Sequence, residues 1–466
     1  MPNLFVDALV AIVGERHVLT DARDTAAYFS DWRKQYRAAA ECVARPADTG
    51  EVAAIVQLCA REGVAVVPQG GNTGLSGGSV PTGARREIVL SLARLNRIRA
   101  LDALDDTLTA EAGCVLAQVQ QAAEGAGRTF PVSLAAEGSC QIGGILSTNA
   151  GGVNVLRYGN ARDQVLGLEV VLPDGNIWHG LRSLRKDNTG YDLKQLFLGA
   201  EGTLGVITAA VLKLRPKPSA GATAWIALDS PAGAVQLLAR LRERIGERIS
   251  AFELVSRRCL EAVMAHAPAT PDPLGAPQPW YVLAELEDSG NFESLHAALE
   301  AALADGVERG ELADAAIAAS HAQATALWRI RETIPEAQFA NVKHDVAVAV
   351  SQIPALIEQV EAALAAAFPG AQSFIFGHVG DGNLHYNIGM ADAAATAALI
   401  GRREQVNRVL YDAVASLGGS ISAEHGIGQL KREELKRCKA PLELELMRAV
   451  KHALDPQGLM NPGKVL

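Results

Sequence analysis

The residues with the most chemical content lie in the run FGHVGDGNLHYN, residues 376–387, and in the pair Glu424-His425. Asp-Gly between two apolar runs signals a hairpin, because a type I′ turn needs positive φ at both central residues. A two-residue Asp381-Gly382 turn flanked by Gly380 and Asn383 sets Val379 opposite Leu384 and His378 opposite His385. Directly opposed residues on one sheet face have Cβ atoms about 4.5–5.5 Å apart, which suits two imidazoles sharing one metal ion. Asn387, two residues beyond His385, falls on the same face. Glu424 offers a carboxylate and His425 a base beside it. Two His and one carboxylate leave coordination positions open for a substrate. The same spacing would also arise from a surface pair of imidazoles across a tight turn.

The elements that position these groups belong to a chain of 466 residues, long enough for two or three domains. Hydrophobic residues make up 49% and charged residues 20%, the balance of a soluble globular protein. A net charge of −9 with no long basic block argues against nucleic acid or an anionic membrane as the main partner. The cysteines Cys42, Cys59, Cys114, Cys140, Cys259 and Cys438 form no C-x-x-C, so neither an iron–sulfur run nor a disulfide framework is expected. Reduced thiols fit a cytoplasmic location. The opening MPNLFVDALVAIVG carries Asp7 and no basic leader, and reads as an amphipathic helix and not a signal peptide. No uninterrupted apolar run reaches the ~18 residues of a membrane span.

The periodicity predicts a helix opening at Thr49-Gly50-Glu51 and closing at Gly63, a strand over 64–67, a strand over 87–92 and a helix over 115–127. A hairpin over 167–178 turns at Pro173-Asp174-Gly175, and Pro216 and Pro218 mark a boundary. Beyond it, strands over 222–228, 249–255, 280–286 and 344–350 alternate with helices from Ser230-Pro231, Ser256 and Asn291 and over 354–368. That rhythm suggests an antiparallel sheet with helices on one face, like fused ferredoxin-like units. Helical residues from about 430 lead to a Pro-Gly-punctuated tail.

Three glycine-rich segments, 69–78, 138–152 and 199–205, fall in the first half. PQGGNTGLSGG follows a strand, and its glycines allow backbone N–H groups to approach a pyrophosphate. It is neither a Walker A loop nor a spaced G-x-G-x-x-G. Any one such loop is equally well a plain tight turn. Three in one domain cost much backbone entropy unless a large ligand, most naturally a dinucleotide, threads between them.

PQGGNTGLSGGSVP, SCQIGGILSTNAGG, KDNTGYDLKQLFLGAEGTLGVIT, HVGDGNLH, AEHGIG and NPGK occur in order, from about residue 45 to the C-terminus. Together they resemble the FAD-linked oxidase/dehydrogenase family of the vanillyl-alcohol-oxidase fold, most closely its branch of D-2-hydroxyglutarate and D-lactate dehydrogenases. The resemblance implies an α+β chain. A two-lobed FAD-binding domain would span 1–218, a ferredoxin-like substrate- and metal-binding domain 219–428, and a helical tail packing back on the FAD domain 429–466.

It also implies site residues. Gln69, Gly70, Gly71, Asn72, Thr73, Gly74, Leu75, Gly78 and Ser79 would hold the FAD pyrophosphate. Gly138, Ser139, Ile142, Gly143, Ser147, Asn149, Ala150 and Gly151 would run toward the flavin, Glu201, Gly202 and Ile207 would lie on the adenine side, and Asn461 would return from the tail to the flavin. Asn72 stands where covalent members carry His, so FAD is expected to be non-covalent. His378, His385 and Glu424 resemble ligands of a divalent metal, usually Zn2+, with Mn2+ or Co2+ also suited. Asn387 and His425 resemble substrate contacts, with His425 the catalytic base.

The implied reaction takes a D-2-hydroxy acid to its 2-oxo acid. The metal lowers the hydroxyl pKa, His425 takes the proton and FAD accepts the hydride. Arg331 and Lys343 resemble the branch's substrate cations, which favours the second carboxylate of D-2-hydroxyglutarate, or D-malate, over D-lactate. Pro335 replaces a Thr usual in the hydroxyglutarate enzymes, which points to looser specificity. Arg331 is otherwise a helix-face salt bridge with Glu332 or Glu336, and Lys343 stands close to Asp345. The implied electron acceptor is an electron-transferring flavoprotein, with a quinone or cytochrome as the other candidates, and the implied assembly is a homodimer. A D-lactate dehydrogenase is the nearest alternative, and a non-catalytic FAD-binding electron-transfer subunit the remote one.

Overall fold

The computed structural model describes residues 3–338 and 340–466. The chain divides into two compact units. One gathers the residues up to Gly152 with Gly159–Lys217 and Glu424–Leu466; the other gathers Val153–Tyr158 and Pro218–Ala423.

In the first unit, the helix Thr49–Glu62 is set by its ends. Asp48 accepts from Glu51 N at 2.9 Å, Glu51 Oε2 accepts from Ala47 N at 2.7 Å, and Gly63 closes the helix at φ 65°. Its apolar face covers the parallel strands Ala65–Gln69 and Glu87–Ser91. Val43–Ala44 continues the parallel pairing and Val18–Leu19 adds an antiparallel edge. Glu87–Ser91 is buried throughout, as a strand covered on both faces must be.

The second lobe is a five-stranded antiparallel sheet in the order Ile98–Asp102, Thr107–Glu111, Val206–Lys213, Val165–Val171, Ile177–Gly180. The expected hairpin over 167–178 is present, pairing Val171 with Ile177. The hairpin over 98–111 had no sequence signal, because all of Ile98–Asp102 is exposed and carries no apolar alternation. The helix Leu116–Gly125 and the short helix Ile142–Thr148 pack on this sheet's core.

A buried polar cluster ties the lobes. Glu169 Oε1 accepts from Thr49 Oγ1 at 2.6 Å, Thr208 Oγ1 at 3.0 Å and Arg99 Nη2 at 3.1 Å. Arg99 Nε also reaches Glu111 Oε1 at 3.1 Å, and Arg97 N donates to Glu111 Oε2 at 2.8 Å. Burial alone would raise both carboxyls, but these donors hold Glu111 and Glu169 below their ordinary range. The tail pairs with the strand that feeds the first glycine loop: Val66 N donates to Leu459 O at 2.9 Å and Asn461 N to Val66 O at 2.8 Å.

The second unit is a seven-stranded antiparallel sheet. Its order is Asp314–Ile317, Ala220–Leu228, Trp280–Asp288, Ile249–Ser256, Gln372–Gly377, Asn383–Gly389, Asp345–Ala347. Helices Arg257–His266 and His321–Ala337 pack on one face through Cys259, Leu260, Val263, Ile330 and Ile334. Among the described residues, no helix is long and apolar enough to cross a membrane.

Candidate active site

In the first unit, the glycine segments line one cleft. The wall includes Gln69–Leu75, Gly78, Ser79, Gly143, Ser147, Ala150, Glu201, Gly202 and Ile207. It also includes Leu134–Ala136, Gln141, Gly144 and Thr148, which the sequence reading passed over. Gly138, Ser139, Ile142, Asn149, Gly151 and Asn461 are not in the wall but behind or beside it. A Cβ at Gly71 would lie 2.0 Å from Ser139 O, so the first two segments meet backbone to backbone. Ile142 is in the lobe core, and Asn149 closes its helix at φ 51° while accepting from Arg162 N at 2.9 Å.

The wall's chemistry fits a large polar cofactor. Gln141 Oε1 is buried and finds no hydrogen-bond partner among the described residues. A Cβ at Gly74 or Gly144 would meet no protein atom within 4 Å. Asn72, at φ 52°, is fixed by donating from Nδ2 to Ser30 O at 2.9 Å and accepting at Oδ1 from Ser79 Oγ at 2.8 Å.

Glu424 and His425 also line this cleft. Glu424 Oε2 accepts from Gly152 N at 3.0 Å, and its Oε1 lies 3.7 Å from His425 Nε2. Ser76 Oγ of the first glycine loop donates to His425 O at 3.0 Å. Gly428 is required here: at φ 50°, a Cβ would sit 2.1 Å from Ser76 O. Glu201 braces the same turn, its carboxylate accepting from Ile427 N at 2.7 Å and Gly428 N at 2.8 Å, while desolvation raises its pKa. Asn461 Nδ2 donates to Glu201 O at 2.7 Å and Gly78 O at 2.9 Å, joining tail to wall.

In the second unit, the histidine hairpin has a longer loop than its sequence suggests. His385 pairs with Phe376, not His378, and Asn387 pairs with Phe374. Residues 378–382 form the loop, with Asn383 N donating to His378 O at 3.2 Å. Gly382 has φ 91° but Asp381 is not in the left-handed region, so no type I′ turn forms. The loop is instead tied to the neighbouring strand, Gly380 N donating to Phe252 O at 3.1 Å. The imidazoles of His378 and His385 still meet, with ring centres 5.5 Å apart at 75°. Two imidazoles on one tetrahedral cation with Zn–N near 2.05 Å would place their ring centres about 5.2 Å apart. The ring spacing matches that value, while within this unit His385 falls with Asp345, and not with His378, in the group whose possible ligand atoms lie within 4.8 Å of one another.

The surrounding groups are carboxylates the sequence reading did not use. Glu253, wholly buried, accepts from His378 Nδ1 at 2.6 Å through Oε1 and from Arg331 Nε at 2.7 Å through Oε2. Burial would raise its pKa, but its hydrogen bond from His378 and its ion pair with Arg331 outweigh burial and hold the carboxyl well below its ordinary range. Arg331 thus pairs with Glu253 and not with Glu332 or Glu336. Its guanidinium lies 4.9 Å from the Phe376 ring centre, and its two terminal nitrogens hydrogen-bond nothing among the described residues. Asp345 stands directly opposite His385 in register and accepts from Asn383 Nδ2 at 2.8 Å. Asn387 Nδ2 donates to Gln338 Oε1 at 3.1 Å, and Lys343 Nζ donates to Pro335 O at 3.0 Å.

Known proteins resemble this chain over both units. Residues 40–180 match a family model described as FAD binding domain, and 217–465 one described as FAD linked oxidases, C-terminal domain. A D-2-hydroxyglutarate dehydrogenase of Xanthomonas citri pv. viticola is 41% identical over 96% of this chain and 93% of its own. The mitochondrial D-2-hydroxyglutarate dehydrogenase of Bos taurus is 40% identical over 98% of this chain and 82% of its own. Among solved structures, p-cresol methylhydroxylase aligns with a TM-score of 0.76 over 99% of this chain and 96% of its own, at 17% identity. That likeness concerns the fold.

Proposed function

This chain belongs to the FAD-linked oxidase family, and on that premise we propose that it oxidises D-2-hydroxyglutarate to 2-oxoglutarate using non-covalent FAD and a divalent metal ion. As a member it is an FAD-dependent oxidoreductase. The observation that carries the reading is the position of His425 and Glu424 on the wall of the glycine-loop cleft, where a base is needed beside a redox cofactor. FAD supplies the acceptor for the hydride from the hydroxyl-bearing carbon, and a divalent cation supplies acidification of that hydroxyl.

The chain's own residues do the remaining work. The His425 imidazole receives the hydroxyl proton, with Glu424 Oε1 3.7 Å from Nε2. We assign His378, His385 and Glu424 as the ligand set; the ring separation of the two histidines supports the histidine pair alone. Arg331 offers two terminal nitrogens to the distal carboxylate, a fork that D-lactate has no second carboxylate to engage. D-Malate carries one and is the natural second substrate. Asn387 and Lys343 complete the substrate contacts. Asn72 in place of His supports non-covalent FAD. By resemblance, electrons leave to an electron-transferring flavoprotein from a cytoplasmic homodimer.

A dye-linked assay with D-2-hydroxyglutarate, D-malate and D-lactate tests the substrate assignment. The highest kcat/KM is expected for D-2-hydroxyglutarate; a preference for D-lactate would move the protein to the lactate branch.

A further inference from the structure

We propose that Glu253 is a positioning residue that holds the metal-side imidazole of His378 and the substrate-side guanidinium of Arg331 with one carboxylate. The inference rests on the function proposed above. Glu253 lies in the strand Ile249–Ser256, every residue of which is buried, and no other residue of that strand is ionisable. A carboxylate in such a strand is costly unless both oxygens are engaged. Both are: Oε1 takes the Nδ1 hydrogen of His378 at 2.6 Å and Oε2 takes the Nε hydrogen of Arg331 at 2.7 Å.

Each contact has a consequence beyond stability. A carboxylate accepting at Nδ1 fixes the imidazole tautomer in which Nε2 is the nitrogen that ligates a metal, and makes that nitrogen more basic. The bond at Arg331 Nε, with Phe376 beneath the guanidinium, sets the direction of its two terminal nitrogens. One buried group therefore orients the reacting end and the distal end of the site together. A shift at Glu253 should be felt at both.

Glu253→Gln separates positioning from mere packing, since its shape is nearly unchanged. A glutamine cannot accept from both partners through two oxygens. If its NH2 group faces His378 it selects the other tautomer; if it faces Arg331 it meets a second donor. Zn2+ affinity would be measured by competition with a chromophoric chelator on FAD-loaded protein without substrate, beside wild type. We expect affinity to fall roughly 10- to 100-fold, FAD content to stay the same, and KM for D-2-hydroxyglutarate to rise more than KM for D-lactate. Unchanged Zn2+ affinity with wild type binding normally would overturn the positioning role. Wild type that binds no Zn2+, Mn2+ or Co2+ would overturn the metal reading on which it rests. Should Glu253→Gln not fold, Glu253→Asp reads the same point: it keeps the charge and loses the reach, so wild-type affinity in that variant also overturns the proposal.

Discussion

The guanidinium of Arg331 donates from Nε to Glu253 Oε2 across 2.7 Å, so the cation proposed above to meet the distal carboxylate is anchored by a carboxylate 78 residues away. Anchoring through Nε keeps the two terminal nitrogens in one plane for a bidentate partner. Arg331→Lys retains a charge for Glu253 and removes the fork. KM for D-2-hydroxyglutarate should rise about tenfold or more, near 1.4 kcal/mol, with KM for D-lactate little changed. Steady-state kinetics on both acids check this; equal changes would assign Arg331 to the shared carboxylate.

His425 is expected to carry proton removal. His425→Asn should lower kcat by roughly 10²–10⁴ while FAD content stays that of wild type. Loss of FAD instead would make His425 a structural part of the cleft, which its main-chain bond from Ser76 Oγ makes a fair test.

Gly71 lies against the second glycine segment, where a Cβ would come within 2.0 Å of Ser139 O. Gly71→Ala must push the two segments apart. The purified variant should carry markedly less FAD by absorbance. Gly125→Ala, at a helix end with nothing within 4 Å of the added methyl, should keep full FAD content.

Arg99 neutralises Glu111 and Glu169 in the seam between the lobes of the first unit. Arg99→Ala removes one donor from each of two buried carboxylates, Glu111 keeping Arg97 and Glu169 keeping Thr49 and Thr208, and should cost about 1–3 kcal/mol, read as a lower melting temperature. The pH dependence has a defined sign. Both carboxyls are held below 4.5 in the folded state, so their contribution is present above that value and lost as pH falls below it. The melting-temperature difference between wild type and Arg99→Ala should shrink on acidification below pH 4.5.

The glycine segments were legible because backbone close approach leaves its mark in residue type: Gly71 and Gly428 admit no Cβ. Most strands and helices of residues 218–423 were legible from their apolar periods and caps, but Asp314–Ile317, Ala393–Gly401 and Arg403–Ser416 were not, and the strand expected over 344–350 is confined to Asp345–Ala347. The hairpin register was not. Asp381-Gly382 carries the local signal of a two-residue turn, but Gly380 is held by the Phe252 carbonyl, a tertiary bond that sequence spacing does not encode. The shift is two residues, so His385 keeps its face and the two imidazoles still meet. Glu253 was missed although a signal existed: a single carboxylate inside the apolar run ISAFELV demands a buried partner. Which partner it takes is settled only when helix His321–Ala337 and the loop after Gly377 converge on the sheet.

In the proposed reaction His425 takes the hydroxyl proton, a divalent metal acidifies that hydroxyl, and the carbon bearing it passes its hydride to FAD. The most direct test of this reaction is anaerobic mixing of the purified flavoprotein with D-2-hydroxyglutarate, following flavin bleaching and 2-oxoglutarate formed. Stoichiometric bleaching is expected with the D-enantiomer and none with the L-enantiomer, with loss after chelation by EDTA and recovery on adding Zn2+ or Mn2+. A flavin that stays oxidised with D-2-hydroxyglutarate in the metal-loaded protein, or that bleaches equally after verified metal removal, would contradict it.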